Sequence, residues 1–171
     1  ANKSQSLRGM GTTASIIACV GKEIYLAHVG DSRIYFKRDG RMEQLTKDHS
    51  YVEYLIENGM ISENEKRTHP KRNVLVQALG TKEELKFDCF KVNKLIEIGD
   101  KFLLCSDGLY EYVSDSEMAD ALNENGLHQT AEKLIDLALH RGGHDNISIL
   151  IIECVSNIIS DNSITKEIKK S

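Results

Sequence analysis

The chain is predicted to be an α+β protein, mostly antiparallel strands first and helices later. Three observations predict this. Short apolar or alternating runs separated by tight-turn residues fill the first 45 residues. The 3.6-residue apolar period of a long helix occurs only toward the end of the chain. The composition is that of an ordinary globular protein, with 40% hydrophobic and 28% charged residues and a single Pro.

Residues 12–20 read as a strand, Gly21-Lys22 as a turn, and residues 23–29 as a second strand ending at Gly30-Asp31-Ser32. Residues 33–38 and 41–45 flank Asp39-Gly40, a strong hairpin signal because the Gly accepts positive φ. Tyr51, Leu55 and Ile56 then mark a short helix stopped by Asn58-Gly59. Ser62-x-x-Glu65 has the form of a capping box, and the basic stretch 66–73 reads as an exposed loop. Strands are expected at 74–76, 85–90 and 101–105. Ser114 or Asp115 caps a helix over 116–123. A second helix runs from Thr130 to about His140, with Ala131, Leu134, Ile135, Ala138 and Leu139 on one face. Residues 147–152 form a nearly continuous apolar strand. Residues 1–155 are read as one folded unit, and 156–171 as a polar tail or linker.

The 171 residues are enough for one domain with a real core. A net charge of -4 argues against a nucleic-acid binder, which needs basic surface to neutralise phosphates. No apolar run is long enough for a membrane-spanning helix. Cys19, Cys89, Cys105 and Cys154 are widely spaced and form no C-x-x-C pair, so a zinc ribbon is not expected. They read as buried reduced thiols of a cytoplasmic protein.

Two aspartates carry the chemical interest. Asp107 follows a strand in Cys105-Ser106-Asp107-Gly108, and Asp145 precedes one in Gly143-His144-Asp145-Asn146. A strand end fixes a carboxylate in place, and carboxylate oxygens suit hard divalent cations. Asp-Gly and Asp-Asn are also common turn dipeptides, so spacing alone leaves both readings open. Asp31-Ser32-Arg33 reads as a structural turn with an internal Arg–carboxylate pair. His28, His128 and His140 read as surface or packing residues, whereas His49 and His144 sit beside the motif aspartates.

Taken in order, the chain contains Gly9-Met10-Gly11-Thr12-Thr13, His28-Val29-Gly30-Asp31-Ser32-Arg33 and Leu45-Thr46-Lys47-Asp48-His49-Ser50. Val76-Gln77-Ala78-Leu79-Gly80, Leu103-Leu104-Cys105-Ser106-Asp107-Gly108-Leu109 and Gly142-Gly143-His144-Asp145-Asn146-Ile147-Ser148 follow. This series resembles the successive motifs of the PPM-type (type 2C) metal-dependent protein serine/threonine phosphatases, in the bacterial style. The resemblance implies a β-sandwich flanked by helices in α-β-β-α layers, with the active centre at one end. It implies metal ligation by Asp107 and Asp145, and by Asp48 for a third ion. It also makes the basic loop a flap, with His69 and Arg72 as substrate contacts. The implied cofactors are two Mn²⁺ or Mg²⁺ ions, with a third in bacterial members. The implied reaction is attack of a metal-activated water on phosphoserine or phosphothreonine, with phosphoproteins and a serine/threonine kinase or its targets as partners. A non-enzymatic, phosphatase-like regulatory or binding module is the alternative.

The family's earlier Asn-Glu-Asp and Asp-Gly-x-Gly-Gly motifs do not occur in these 171 residues. The expectation is therefore a domain incomplete at its N-terminus, with apolar faces left uncovered and weak or no activity alone.

Overall fold

A computed structural model describes residues 9–81, 84–124 and 126–155; the polar tail or linker expected at 156–171 lies outside them. Strands β1 (Ala14–Val20) and β2 (Glu23–Val29) form a hairpin, as do β3 (Arg33–Arg38) and β4 (Arg41–Gln44). Asp39 and Gly40 both have positive φ, as a tight hairpin turn demands. Helices α1 (Tyr51–Glu57) and α2 (Glu63–Lys66) follow, then β5 (Asp88–Leu95), β6 (Lys101–Cys105), α3 (Asp107–Tyr110), α4 (Asp115–Ala121), α5 (Leu127–His140) and β7 (Ile149–Glu153).

The strands make two antiparallel sheets, β1-β2-β5 and β4-β3-β6-β7. Alternation along each strand sends one face inward. Ile24 and Leu26 of β2 meet Ile34 and Phe36 of β3 and Phe102 of β6 in the core between the sheets. A second core lies on the outer face of the four-stranded sheet. There Tyr35, Leu103 and Cys105 pack with Leu109, Met118, Leu122, Leu134 and Ala138. Thr130, Leu134 and Ala138, four residues apart, are the buried side of α5.

The outer face of the three-stranded sheet is open, with Ile16, Val20 and Tyr25 exposed. Among the described residues the expected α-β-β-α stack therefore shows three layers, α-β-β.

Several boundaries differ from the sequence expectation. Residues 74–76 form no strand but a single bridge, Leu75 to Ser50, with Val76 N–H donating to His49 O. The strand expected at 85–90 runs instead over Asp88–Leu95, because Phe90 pairs with Leu26 and Lys91 with Tyr25. α5 starts three residues early, at Leu127. The thiols are less buried than expected, since Cys19 and Cys89 are exposed and only Cys105 is fully buried.

Candidate active site

Asp107 is the first residue of α3, directly after the strand β6 and Ser106. Ser106 pins the loop leading into β7: its N–H donates to Ser148 O at 3.1 Å, its hydroxyl donates to Asn146 O at 3.0 Å, and it accepts from Ser148 N–H at 3.0 Å. Gly108 permits that approach, because a Cβ there would lie 2.5 Å from Asn146 O. Thus two strand ends 40 residues apart bring Asp107 and Asp145 together.

Each aspartate accepts one local backbone N–H through Oδ1, Asp107 from Gly108 at 2.9 Å and Asp145 from Asn146 at 2.7 Å. Burial, and next the charge of Asp145, push the Asp107 carboxyl above its usual range. Among the described residues no Lys, Arg or His side chain forms an ion pair with either carboxylate. Two carboxylates repelling one another is the electrostatic condition that a divalent ion relieves.

Asp31 joins this group, a role the sequence reading missed by treating 31–33 as a structural turn. Its loop is fixed by Gly30, at φ 110°, where a Cβ would lie 2.2 Å from Thr13 Cγ2. Tyr110 hydroxyl donates to Asp31 O at 3.0 Å. Burial first, then the charges of Asp107 and Asp48, push the Asp31 carboxyl up to about 6. The expected internal Arg–carboxylate pair is formed by Arg33 with Asp48, not with Asp31. The only sequence signal for Asp31 was its place at the end of β2, like that of Asp107 at the end of β6.

Asp48 is 5% exposed at its side chain and is bound by cations. Arg33 donates to both its oxygens, at 2.9 and 2.7 Å, and Lys66 lies 3.4 Å away. Burial alone would raise its pKa; the Arg33 bonds and charge, with Lys66, outweigh that and hold it below the usual range. Arg33 is itself stacked 3.6 Å over the Tyr110 ring.

Asp31, Asp48 and Asp107 line one wall of a cleft of about 540 Å³. Lys66, Arg67 and Arg72 line it from α2 and the basic loop that follows. Arg72 reaches toward Glu111, with Nε 4.0 Å from its carboxylate. His69 does not line the cleft: its ring lies 6.1 Å from Tyr51, and its Nδ1 accepts Lys71 N–H at 3.1 Å. Asp145 lines a second cleft of about 740 Å³, which it shares with Asp107, Thr12 and Thr13.

Two histidines brace the Asp31 loop from behind. Buried His28 bridges Ser15 hydroxyl and Gly30 O, at 2.9 and 3.0 Å. His49 accepts Gly30 N–H at 3.2 Å, and its other nitrogen meets Asp88 at 3.1 Å. Among the described residues no three His, Cys, Asp or Glu side chains form a metal cage. Asp107 and Asp145, close enough for the charge of one to raise the other's pKa, offer carboxylate oxygens that fit a hard cation keeping several waters.

The fold and site define a class: a β-sandwich bearing acidic side chains at one end, beside a cleft walled by basic residues. The profile of the family described as "Protein phosphatase 2C" matches residues 1–53. The chain is 39% identical over 149 residues to the serine/threonine protein phosphatase PstP of Mycobacterium tuberculosis, covering 87% of the chain and 28% of that protein. It is 38% identical over 154 residues to the serine/threonine phosphatase stp of Listeria welshimeri, covering 90% of the chain and 60% of that protein. The crystal structure of M. tuberculosis PstP superposes with a TM-score of 0.84 at 37% identity, covering 91% of the chain and 65% of the other. A structure of the PstP catalytic domain in complex with two manganese ions superposes at 0.80 and 36% identity, covering 91% and 64%. The chain belongs, by sequence and fold, to the PPM (type 2C) protein phosphatase family in its bacterial form. It spans less than two thirds of the length of these relatives.

Proposed function

We propose that this chain serves the hydrolysis of phosphoserine and phosphothreonine in proteins. The observation that carries the reading is the juxtaposition of Asp107 and Asp145, with no cationic side chain paired to either among the described residues, where Asp107 also lines the cleft walled by Lys66, Arg67 and Arg72. Relatives named as serine/threonine phosphatases, one of them with two manganese ions in its structure, support it.

Asp107 and Asp145 would hold Mn²⁺ or Mg²⁺. Such ions, two with a third in bacterial members, supply charge for the phosphoryl oxygens and lower the pKa of water. The remaining work falls to the chain itself. Ser106 and Gly108 hold the two carboxylates in place. Asp31, with its carboxyl pushed to about 6, stands ready to accept or hold a proton near Asp107. Arg72 offers a cation to the phosphoryl group or to the peptide that carries it. His69, turned toward Tyr51, would act on the peptide only after the loop moves. Asp48 as ligand of a third ion requires that ion to displace Lys66 or Arg33; in its present state Asp48 anchors Arg33. The natural partners in this reading are phosphoproteins of the cytoplasm, the targets of a serine/threonine kinase or the kinase itself.

The test is Mn²⁺-dependent hydrolysis of p-nitrophenyl phosphate and a phosphothreonine peptide by this chain, Asp107→Ala and Asp145→Ala. The expected result is metal-dependent turnover, weak or absent in this chain alone, present in a longer form that also carries the Asn-Glu-Asp and Asp-Gly-x-Gly-Gly motifs, and lost in both variants. Inertness both of this chain and of a longer form restoring the Asn-Glu-Asp and Asp-Gly-x-Gly-Gly motifs would overturn the enzyme reading and favour a phosphatase-like binding module.

A further inference from the structure

The end of the sandwich away from Asp107 carries a pair of thiols with no part in the proposed chemistry. β1 and β7 are the outermost strands of their respective sheets. Both start at the site end: Ala14 follows Thr13, which packs on Gly30, and Ile149 pairs with Cys105, two residues before Asp107. Cys19 and Cys154 each lie five residues further along, so they reach the same depth at the far end.

Both also belong to the inward-facing set. Ile17 packs against the core between the sheets, and Cys19, two residues on, pairs with fully buried Ile24. Ile152 and Cys154 pack against that same core from the other sheet. The Cys154 backbone is held by its N–H to Asp100 O at 2.9 Å and by Gly99 N–H to its own carbonyl at 2.8 Å. Cys19 is exposed, so a small oxidant can reach it. Burial, and next the charge of Cys154, raise the Cys19 thiol above its usual value, so the two thiols lie within electrostatic range of one another.

We propose that Cys19 and Cys154 are an oxidation site whose disulfide clasps the two sheets at their open edge. Face-to-face sheets lie about 10 Å apart, whereas a disulfide needs its Cα atoms within about 4.4–6.8 Å. The edges must therefore close by a few ångströms. Edge strands can do so, because each is hydrogen-bonded to a neighbour on one side only. With a peroxide as oxidant, the Cys19 thiolate attacks one peroxide oxygen. An S–O bond forms, the O–O bond breaks and water leaves. The Cys154 thiolate then attacks the Cys19 sulfur, forming the S–S bond as the S–O bond breaks and a second water leaves. The two thiols lose two electrons, and the peroxide gains them. The other cysteines are built differently. Cys89 pairs with Ala27 on the outer face of its sheet, and Cys105 is buried with its thiol pushed up to about 12.

The experiment treats the full chain with hydrogen peroxide, blocks remaining thiols, and maps peptides by mass without reduction. The expected product is one peptide joining Cys19 to Cys154, lighter by two hydrogens, formed at a rate independent of protein concentration. It should raise the melting temperature by several degrees, reversibly with dithiothreitol. Cys19→Ser and Cys154→Ser should each abolish it, and Cys89→Ser should leave it unchanged. If a serine variant fails to fold, the peptide map of the wild-type chain decides alone. A map showing Cys89 linked between chains, or Cys19 driven to sulfinic acid without a cross-link, would overturn the proposal.

Discussion

Asp48 and Asp107 line the same cleft, yet they are opposite kinds of acid. Asp48 is buried, bonded twice by Arg33 and approached by Lys66, and its pKa is held down. Asp107 is half-buried, faces Asp145 and Asp31, and its pKa is pushed up. The first acid has its counter-charges in the chain; the second lacks them. A fold that concentrates carboxylates without cations keeps electrostatic strain that a divalent ion would relieve, while the paired acid serves the architecture. Proximity to a cleft alone therefore does not separate an aspartate that a cation would relieve from one already paired.

The comparison breaks most visibly at the paired side. Asp48→Ala leaves the Arg33 guanidinium buried without its carboxylate and should cost about 3–4 kcal/mol in urea unfolding. A loss under about 1 kcal/mol would show that the pair is not structural. At the unpaired side the sign should reverse. Asp107→Asn, measured in chelator, should leave stability unchanged or raise it by about 1 kcal/mol, because it removes a charge that burial and Asp145 oppose. Marked destabilisation would contradict the account.

Titration sharpens the same contrast. The Asp31 carboxyl rises from 3.8 to about 6 on folding, so between those values the native state holds more proton than the unfolded chain. Its contribution is present below the lower value and is lost as pH rises through the upper one. Asp31→Asn in chelator should accordingly gain about 1–2 kcal/mol at pH above 6, after allowance for solvent screening, and nothing below the ordinary carboxylate pKa. Urea unfolding at both ends of that window checks it. The smallest effect is expected at the surface: Arg72→Ala removes a 4.0 Å contact with Glu111 and should change stability by less than about 0.5 kcal/mol. A larger loss would make the basic loop part of the folded frame.

Much of this was legible in the chain. Asp39-Gly40 announced the β3–β4 hairpin, and an apolar run ending at Cys105-Ser106-Asp107-Gly108 announced a carboxylate at a strand end. Both signals are local. What escaped was set by distant partners. β5 is defined by its pairing with β2, more than 60 residues earlier. It was misplaced because its own alternation is weak, with Val92 its only fully buried residue. Arg33 chose Asp48 over Asp31 because the chain between them turns through the β3–β4 hairpin and returns beside β3. Asp31 acquired its perturbed carboxyl first from burial and next from Asp107, which lies 76 residues away. The sequence implied uncovered apolar faces on both sheets and the helices without saying which; Ile16 and Val20 are exposed on the outer face of the three-stranded sheet.

The central proposal is that Asp107 and Asp145 hold the first cation of this chain, while Asp48, paired with Arg33, could serve only a further ion. Calorimetric titration of Mn²⁺ into the chain, Asp107→Asn, Asp145→Asn and Asp48→Asn tests it directly. The account predicts that binding is lost in the first two variants and retained in the third, provided the third is folded by circular dichroism. Binding unchanged in Asp107→Asn and Asp145→Asn, or lost only in a folded Asp48→Asn, would contradict it.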